Sequence, residues 1–168
     1  LGVPQPLLEG LKAKQVESAE EMRHALKELQ ASVNVVVMAA AVADLRQIGG
    51  AKREKTSKNS LLTSLKNSFE QVPDLLAELA KNRPTSQVLL GFAALTGTKE
   101  EIKKAAKVKL IEKGCDLIFA NPIDQANQGF QSDLNGGFLL GPKNEIRSIS
   151  VTSKLDLSHQ LLDAIQEL

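Results

Sequence analysis

Three short apolar runs in this chain end abruptly in polar residues, and such ends are where an α/β sheet does its chemistry. Val35 to Ala43 runs into Asp44, Val88 to Phe92 into Ala93-Ala94-Leu95-Thr96-Gly97, and Leu117 to Ala120 into Asn121. In an open α/β sheet, ligands sit beyond the carboxyl ends of the strands; Asp, Asn and Gly are equally ordinary strand stoppers. A second group is cationic. Lys52, Arg53, Lys55 and Lys58 follow Asp44 closely in a polar, Lys-rich stretch, which reads either as solvated surface or as an arm that closes on phosphates. A third lies in the helical stretch Lys99–Lys113. At about 100° per residue, Lys109 and Lys113 project within about 40° of each other, on the side shared by Ile102 and Ala106. Like charges at that spacing cost a few tenths of a kcal/mol in an isolated helix. Two causes are open: the macrodipole, which favours cations near a helix C-terminus, and a paired-ammonium clamp for an anion.

Other chemistries are excluded. No G-x-S-x-G elbow is present for a serine hydrolase, and neither G-x-G-x-x-G nor G-x-x-x-x-G-K-[ST] occurs. That absence disfavours a dinucleotide-dependent dehydrogenase. His24 and His159 are isolated, and Cys115 is the single cysteine, so no zinc framework or internal disulfide is encoded. A reducing cytosol is the expected compartment. Lys+Arg 21 against Asp+Glu 20, no Trp or Tyr and only five Phe argue against nucleic acid as a partner. The longest apolar run, Val35 to Ala43, is far short of the ~20 residues of a membrane span, and no secretory signal opens the chain. The 168 residues suit one domain. They begin Leu-Gly-Val-Pro without an initiator Met, so a piece of a longer polypeptide is expected.

The elements that must position these residues are readable. Ser18-Ala-Glu-Glu21, Thr98-Lys-Glu-Glu101 and Ser153-Lys-Leu-Asp156 each set a hydroxyl three residues ahead of a carboxylate, the capping-box spacing. They predict helices over Ala19–Ala31, Lys99–Lys113 and Lys154–Glu167. A fourth helix is expected from Pro73, as first helical residue, to Asn82. Val33–Ala41, Val88–Phe92 and Leu117–Ala120 are continuous rather than alternating, as in strands covered on both faces. Phe138–Leu140 and Ile146–Val151 flank the turn Gly141-Pro142-Lys143-Asn144 and predict an antiparallel hairpin. Together these give an α/β, Rossmann-like layered fold with a mostly parallel sheet and a C-terminal antiparallel hairpin. The polar stretch from Arg46 to Gln71 is long for a connection and suits a flap, with a short strand at Leu61–Leu65.

Taken in order, the segments resemble phosphopantothenoylcysteine synthetase, the C-terminal half of a bifunctional bacterial decarboxylase/synthetase. Ala39-Ala-Ala-Val-Ala-Asp44-Leu-Arg46 is similar to the family's "AAVADYRP", Glu54-Lys55-Thr-Ser-Lys58 to "EKIKK", and Val72-Pro-Asp-Leu75 to "NPDI". Gly91-Phe-Ala-Ala-Leu-Thr96 is similar to "GFAAET". Ala106 to Lys113 with Asp116 to Asn121 resembles "AxxKLxxKxxDLIVAND", and Gly129 to Asn135 resembles "GFxSDxN". Six such pieces in family order, with a "TAxEM"-like opening at Ser18, extend the resemblance over essentially the whole chain.

The resemblance implies a reaction and a site. The family joins 4′-phosphopantothenate to L-cysteine using CTP and Mg2+, through an acyl-cytidylate, and works as a homodimer in the cytoplasm. By analogy Met38, Ala39 and Ala40 would offer backbone to cytosine, and Asp44 would serve the nucleotide or its metal. Lys55 and Lys58 would be the catalytic flap lysines over the reacting phosphates. Pro73, Asp74, Leu75 and Phe92 would line the CTP pocket, and Lys109 and Lys113 would grip the triphosphate, which favours the clamp. No residue of the chain is expected to be a dedicated metal ligand. This sequence departs from the family at Val72, Leu95 and Pro122, where the motifs carry Asn, Glu and Asp, and at Ser57, where the flap carries Lys. The family's N-terminal Gly-rich "GGT…SNxSSGxMG" region has no counterpart here, so the isolated chain is expected to be nearly inactive. The alternative is a non-catalytic nucleotide-binding or oligomerisation module of the same ancestry.

Overall fold

The computed structural model describes residues 10, 12–48, 69–125 and 132–168. Local chemistry starts each helix. In α1 (Ala19–Gln30) the Ser18 hydroxyl accepts the Glu21 N–H, while the Glu21 carboxylate accepts from Glu17, one residue before the cap. In α2 (Leu75–Asn82) the cap is Asp74, which accepts the Ala77 N–H at 3.1 Å. Pro73 is therefore not the first helical residue, as expected above, but stands before the cap; a carboxylate that satisfies an orphan N–H outweighs the preset φ of proline. In α3 (Lys99–Lys113) Thr98 and Glu101 form the reciprocal capping box, and Gly114 ends the helix at φ 65°. In α4 (Lys154–Gln166) Ser153 accepts the Asp156 N–H, but the Asp156 carboxylate takes the Ser153 hydroxyl at 2.7 Å and does not reach back to the backbone.

The strands are β1 (Val35–Met38), β2 (Leu45–Gln47), β3 (Phe69–Gln71), β4 (Val88–Leu95), β5 (Leu117–Pro122), β6 (Leu134–Leu140) and β7 (Ile146–Ser153). Five form one sheet in the order β1-β4-β5-β6-β7. β1, β4 and β5 are parallel, β6 runs against β5, and β7 runs against β6, so four of the five share one direction. That is the expected Rossmann-like sheet with its closing hairpin, whose turn is a 3-10 turn over Pro142–Asn144.

Three apolar clusters fix the layers. Leu157, Leu161 and Ile165 of α4 pack on Leu90, Phe119 and Leu139 on one face. Ile102 and Ala106 of α3 pack on Ala93, Ile118 and Phe138 on the other. α2, with α1 behind it, closes over Met38 and Leu89 on that second face. β5 is buried along its whole length, as its continuous apolar run requires. β1 differs from expectation. It is short and lies at the sheet edge, and Val35 and Val37 are 38% and 45% exposed, because among the described residues no helix covers its α4-side face. Ala39–Ala43 has left the sheet.

The amino ends of the central strands are tied down. Arg83 pairs with Asp116 and donates to the Gln87 carbonyl at 2.9 Å, while Asp116 accepts the Leu89 N–H at 2.8 Å. Two buried glutamines, Gln30 and Gln87, bond each other and the Leu79 and Val33 carbonyls. The expected strand at Leu61–Leu65 lies outside the described residues. The described ends of the polar stretch, Leu45–Gln47 and Phe69–Gln71, pair as the antiparallel ribbon β2–β3. No helix among the described residues is long and apolar enough to cross a membrane.

Candidate functional site

A cleft of about 890 Å3 opens beyond the carboxyl ends of β1, β4 and β5. Its floor is Met38 at the end of β1 with Phe92 and Ala93 of β4, and one wall is the segment Ala39, Ala40 through Asp44. The start of α2 supplies Pro73, Asp74 and Leu75, and the inner side of α3 supplies Lys109 and Lys113. Every expected CTP-site residue within the described segments thus lies on one cavity. Lys55 and Lys58 lie outside the described residues. Asp44 and Gln71, at the base of the β2–β3 ribbon, both line the cleft, and the Asp44 carbonyl accepts the Val72 N–H at 2.9 Å.

Charge is distributed unevenly there. Ile102 and Ala106 are buried to the last few per cent, which turns Lys109 and Lys113 of the same helix face toward the cleft. Lys113 forms an ion pair with Asp74, whose other carboxylate oxygen caps α2. Burial pushes the Asp74 carboxyl up, but the hydrogen bonds from Lys113 and the Ala77 N–H outweigh it and hold the group below the usual carboxylate range. Among the described residues Lys109 has no carboxylate partner, and neither Asp44 nor Lys154, on the far wall, forms an ion pair. Two unspent ammonium groups and one unspent carboxylate therefore face a common space. The ring of Phe92 packs edge-on against Phe119 with centroids 5.6 Å apart, so its position in the cleft is fixed by the core.

Contrast sharpens the point. A second cavity of about 430 Å3 lies between α1 and α2. Its Glu78 is gripped by Arg23 at 2.6 Å and Lys27 at 2.8 Å, and these partners, Arg23 foremost, push its carboxyl down to about 2. Charges there are spent on one another. In the cleft only Lys113 and Asp74 pair, and among the described residues Lys109, Lys154 and Asp44 form no ion pair.

No group of three His, Cys, Asp or Glu side chains that could hold a metal occurs among the described residues. Asp44 alone suits Mg2+ of the kind that arrives on substrate phosphates, since that ion keeps several waters and needs only one or two protein carboxylates.

Several cleft residues were missed as site residues: Asn121, Asn135, Lys154 and Ser158. Asn121 was visible as a strand stopper, but Asn135 needed the start of β6, and Lys154 was hidden behind its neighbour, the Ser153 cap.

The family model for the DNA/pantothenate metabolism flavoprotein C-terminal domain matches residues 3–168. The chain belongs to this family. Among the flavoprotein C-terminal domain's relatives, the coenzyme A biosynthesis bifunctional protein CoaBC of Mycolicibacterium smegmatis is 32% identical over 160 residues, covering 93% of this chain and 38% of that protein. The CoaBC of Bacillus subtilis is 32% identical over 155 residues, covering 91% and 36%. The chain thus spans less than two fifths of the length of these relatives. Crystal structures of the CoaBC C-terminal domain (TM-score 0.74, 25% identity, 99% of this chain and 72% of that one) and of a Streptococcus pneumoniae DNA/pantothenate metabolism flavoprotein (0.72, 21%, 98% and 74%) share its fold. A Cab2 variant in complex with phosphopantothenate-cysteine is a more distant structural neighbour, with TM-score 0.54, 15% identity and coverage of 79% and 44%. The family resemblance read from the motifs is borne out.

Three of the four departures from the family motifs lie within the described residues, and Ser57 lies outside them. Leu95 and Pro122 are register partners at the end of the β4–β5 ladder, so two polar positions have become apolar as neighbours. Val72 is 6% exposed and belongs to the apolar core.

Proposed function

We propose that this flavoprotein C-terminal domain carries the synthetase chemistry of coenzyme A biosynthesis: CTP-dependent ligation of 4′-phosphopantothenate to L-cysteine. The observation that carries the reading is the convergence of Met38–Ala40, Asp44, Pro73–Leu75, Phe92, Lys109 and Lys113 on one cleft with cationic capacity to spare. Beyond Met38 the chain leaves the ladder with Gly91, and the small side chains of Ala39 and Ala40 leave their backbone approachable by a base edge. Phe92 offers the base an apolar surface. In the reaction the substrate carboxylate attacks the α-phosphorus and pyrophosphate leaves; the cysteine amine then attacks the acyl carbon and CMP leaves. Both steps gather negative charge on phosphoryl oxygens. Lys109, held by a helix packed on the sheet, meets that charge without reorganising; Lys113 does so beside Asp74, and Lys55 and Lys58 would add to the cation set. Asp44 would be the protein carboxylate for Mg2+ carried by the triphosphate, and that ion would supply further charge neutralisation.

The test is isothermal titration of CTP with Mg2+ into the 168-residue chain, beside UTP and ATP. Saturable CTP binding is expected; no heat of binding with CTP would leave the non-catalytic module as the reading. Turnover is checked as pyrophosphate release on the complete polypeptide, fused to its decarboxylase partner where one exists.

The same proposal includes a homodimer, and the ribbon supports it. Arg46 and Glu70 are cross-strand partners bonded at 2.7 Å, and Arg46 also reaches Glu20 of α1 at 3.4 Å. That face is fastened to the body of the protein. The alternation of the strands puts Leu45 and Phe69 on the opposite face, 60% and 43% exposed. A two-stranded ribbon is marginal in water by itself, and covering this face with a second copy stabilises it. The wild-type chain is expected to sediment as a dimer and Phe69→Lys as a folded monomer; a monomeric wild type sinks the dimer.

A further inference from the structure

The α4 wall of the cleft holds hydrogen-bonding and charge capacity that the reading above does not use. Asn121 and Asn135 are each only 8% exposed, and both line the cleft. The Asn135 side-chain oxygen accepts the N–H of Gly136 at 3.0 Å, and among the described residues its amide NH2 has no acceptor. Among the described residues the Asn121 side chain has no hydrogen-bond partner. Buried carboxamides left unpaired are uncommon in native proteins and cost free energy unless a ligand or water completes them.

Lys154 lines the same cleft. It opens α4, where a cation opposes the helix dipole, and among the described residues it forms no ion pair, although Asp133 and Asp156 are near in sequence and space. Its backbone is fixed: its N–H donates to the Asp133 carbonyl at 2.9 Å, and the neighbouring Ser153 pairs with Leu134 in the β6–β7 ladder. Asn135 follows directly along β6, opposite Thr152. Nothing in the packing of α4 requires a lysine there, since its core contacts come from Leu157, Leu161, Ala164 and Ile165.

We infer that Lys154, with the side-chain amides of Asn135 and Asn121, forms a phosphoryl-binding subsite on the α4 wall, distinct from the Lys109–Lys113 pair on the α3 wall. The chemistry is that of a tetrahedral oxyanion: one ammonium for charge and amide N–H donors for the remaining oxygens. The inference rests on the reading that phosphorylated substrates occupy this cleft. Two sources present that group, the nucleotide and the phosphorylated acid, and they are separable.

The experiment measures binding of inorganic pyrophosphate, CTP and 4′-phosphopantothenate to the wild-type chain, Lys154→Ala, Lys154→Arg and Lys109→Ala, while following the Asn side-chain amide resonances by NMR. Pyrophosphate is expected to shift the Asn135 and Asn121 side-chain signals, and Lys154→Ala to weaken it about tenfold, with Lys154→Arg restoring most of the loss. Weakening of CTP in Lys154→Ala assigns the subsite to the nucleotide, and weakening of phosphopantothenate alone assigns it to the acid. If Lys154→Ala binds all three as wild type does while Lys109→Ala loses CTP, the subsite is overturned and the nucleotide reading stands. Lys154-dependent pyrophosphate binding without any CTP binding upholds the subsite and removes the nucleotide reading. A wild-type chain that binds none of the three removes both.

Discussion

Gly137→Ala is expected to lower the unfolding free energy by about 3 kcal/mol, the upper end of what overpacking a fixed core costs. A Cβ at Gly137 would stand 2.1 Å from the Ala120 carbonyl oxygen and 3.1 Å from the Asn121 Cα. Those atoms belong to the backbone of β5, which is buried between α3 and α4 layers, with Phe119 and Ala120 at 0% exposure. They have nowhere to go. Relief must come from β6 lifting away, which breaks the Ala120–Phe138 pairing next in the ladder. Gly91→Ala is the informative contrast. Its Cβ would also meet an atom too closely, at 2.7 Å, but that atom is the end of the Leu76 side chain, which can rotate. About 1 kcal/mol is expected there. Urea denaturation of the two variants measures the difference; equal costs would show that β6 is not held against β5 as tightly as the geometry implies. The outcome bears on function, because this contact sets the Asn121–Asn135 wall.

The legible parts of this protein were those in which neighbours in sequence are neighbours in space. Thr98 and Glu101 announce α3 because both ends of the bond lie within one turn, and Ile102 and Ala106 fix which way Lys109 faces by helical phase alone. The β5 run reads as a doubly covered strand because every residue in it is apolar. Tertiary partners defeated the same logic elsewhere. The apolar run at β1 carries the same signal as β5, yet its Val35 and Val37 are exposed, since edge position is decided by which other strands are present and not by the run itself. The β2–β3 ribbon pairs Arg46 with Glu70 across a long polar arm, and three-residue strands leave no periodicity to detect. Pro73 and Asp74 competed for the helix start, and only the bond to the Ala77 N–H decides between them. Lys154 was read as the second residue of a capping signature, a role that says nothing about where its ammonium faces.

Removing the α3 clamp should have the largest effect on ligand binding, and the two lysines should not be equivalent. Lys109→Ala deletes one unpaired cation, for which about a tenfold loss of CTP affinity is expected. Lys113→Ala does more. Its ammonium neutralises Asp74, whose carboxyl is held in the ionised form by that bond and by capping α2. Without Lys113, a carboxylate faces the triphosphate uncompensated, and because the pair is 31% and 42% exposed the added cost is about 1 kcal/mol, roughly fivefold beyond the loss of the cation itself. Adding Asp74→Asn should then recover affinity in the Lys113→Ala background, because asparagine still caps the helix while the repulsion is gone. In the Lys109→Ala background the same change should recover little, because Lys113 already masks the charge. A double-mutant cycle by isothermal titration with CTP and Mg2+ isolates this coupling. If Asp74→Asn acts equally in both backgrounds, Lys113 and Asp74 are not working as a unit toward the ligand, and the clamp reduces to two independent surface charges.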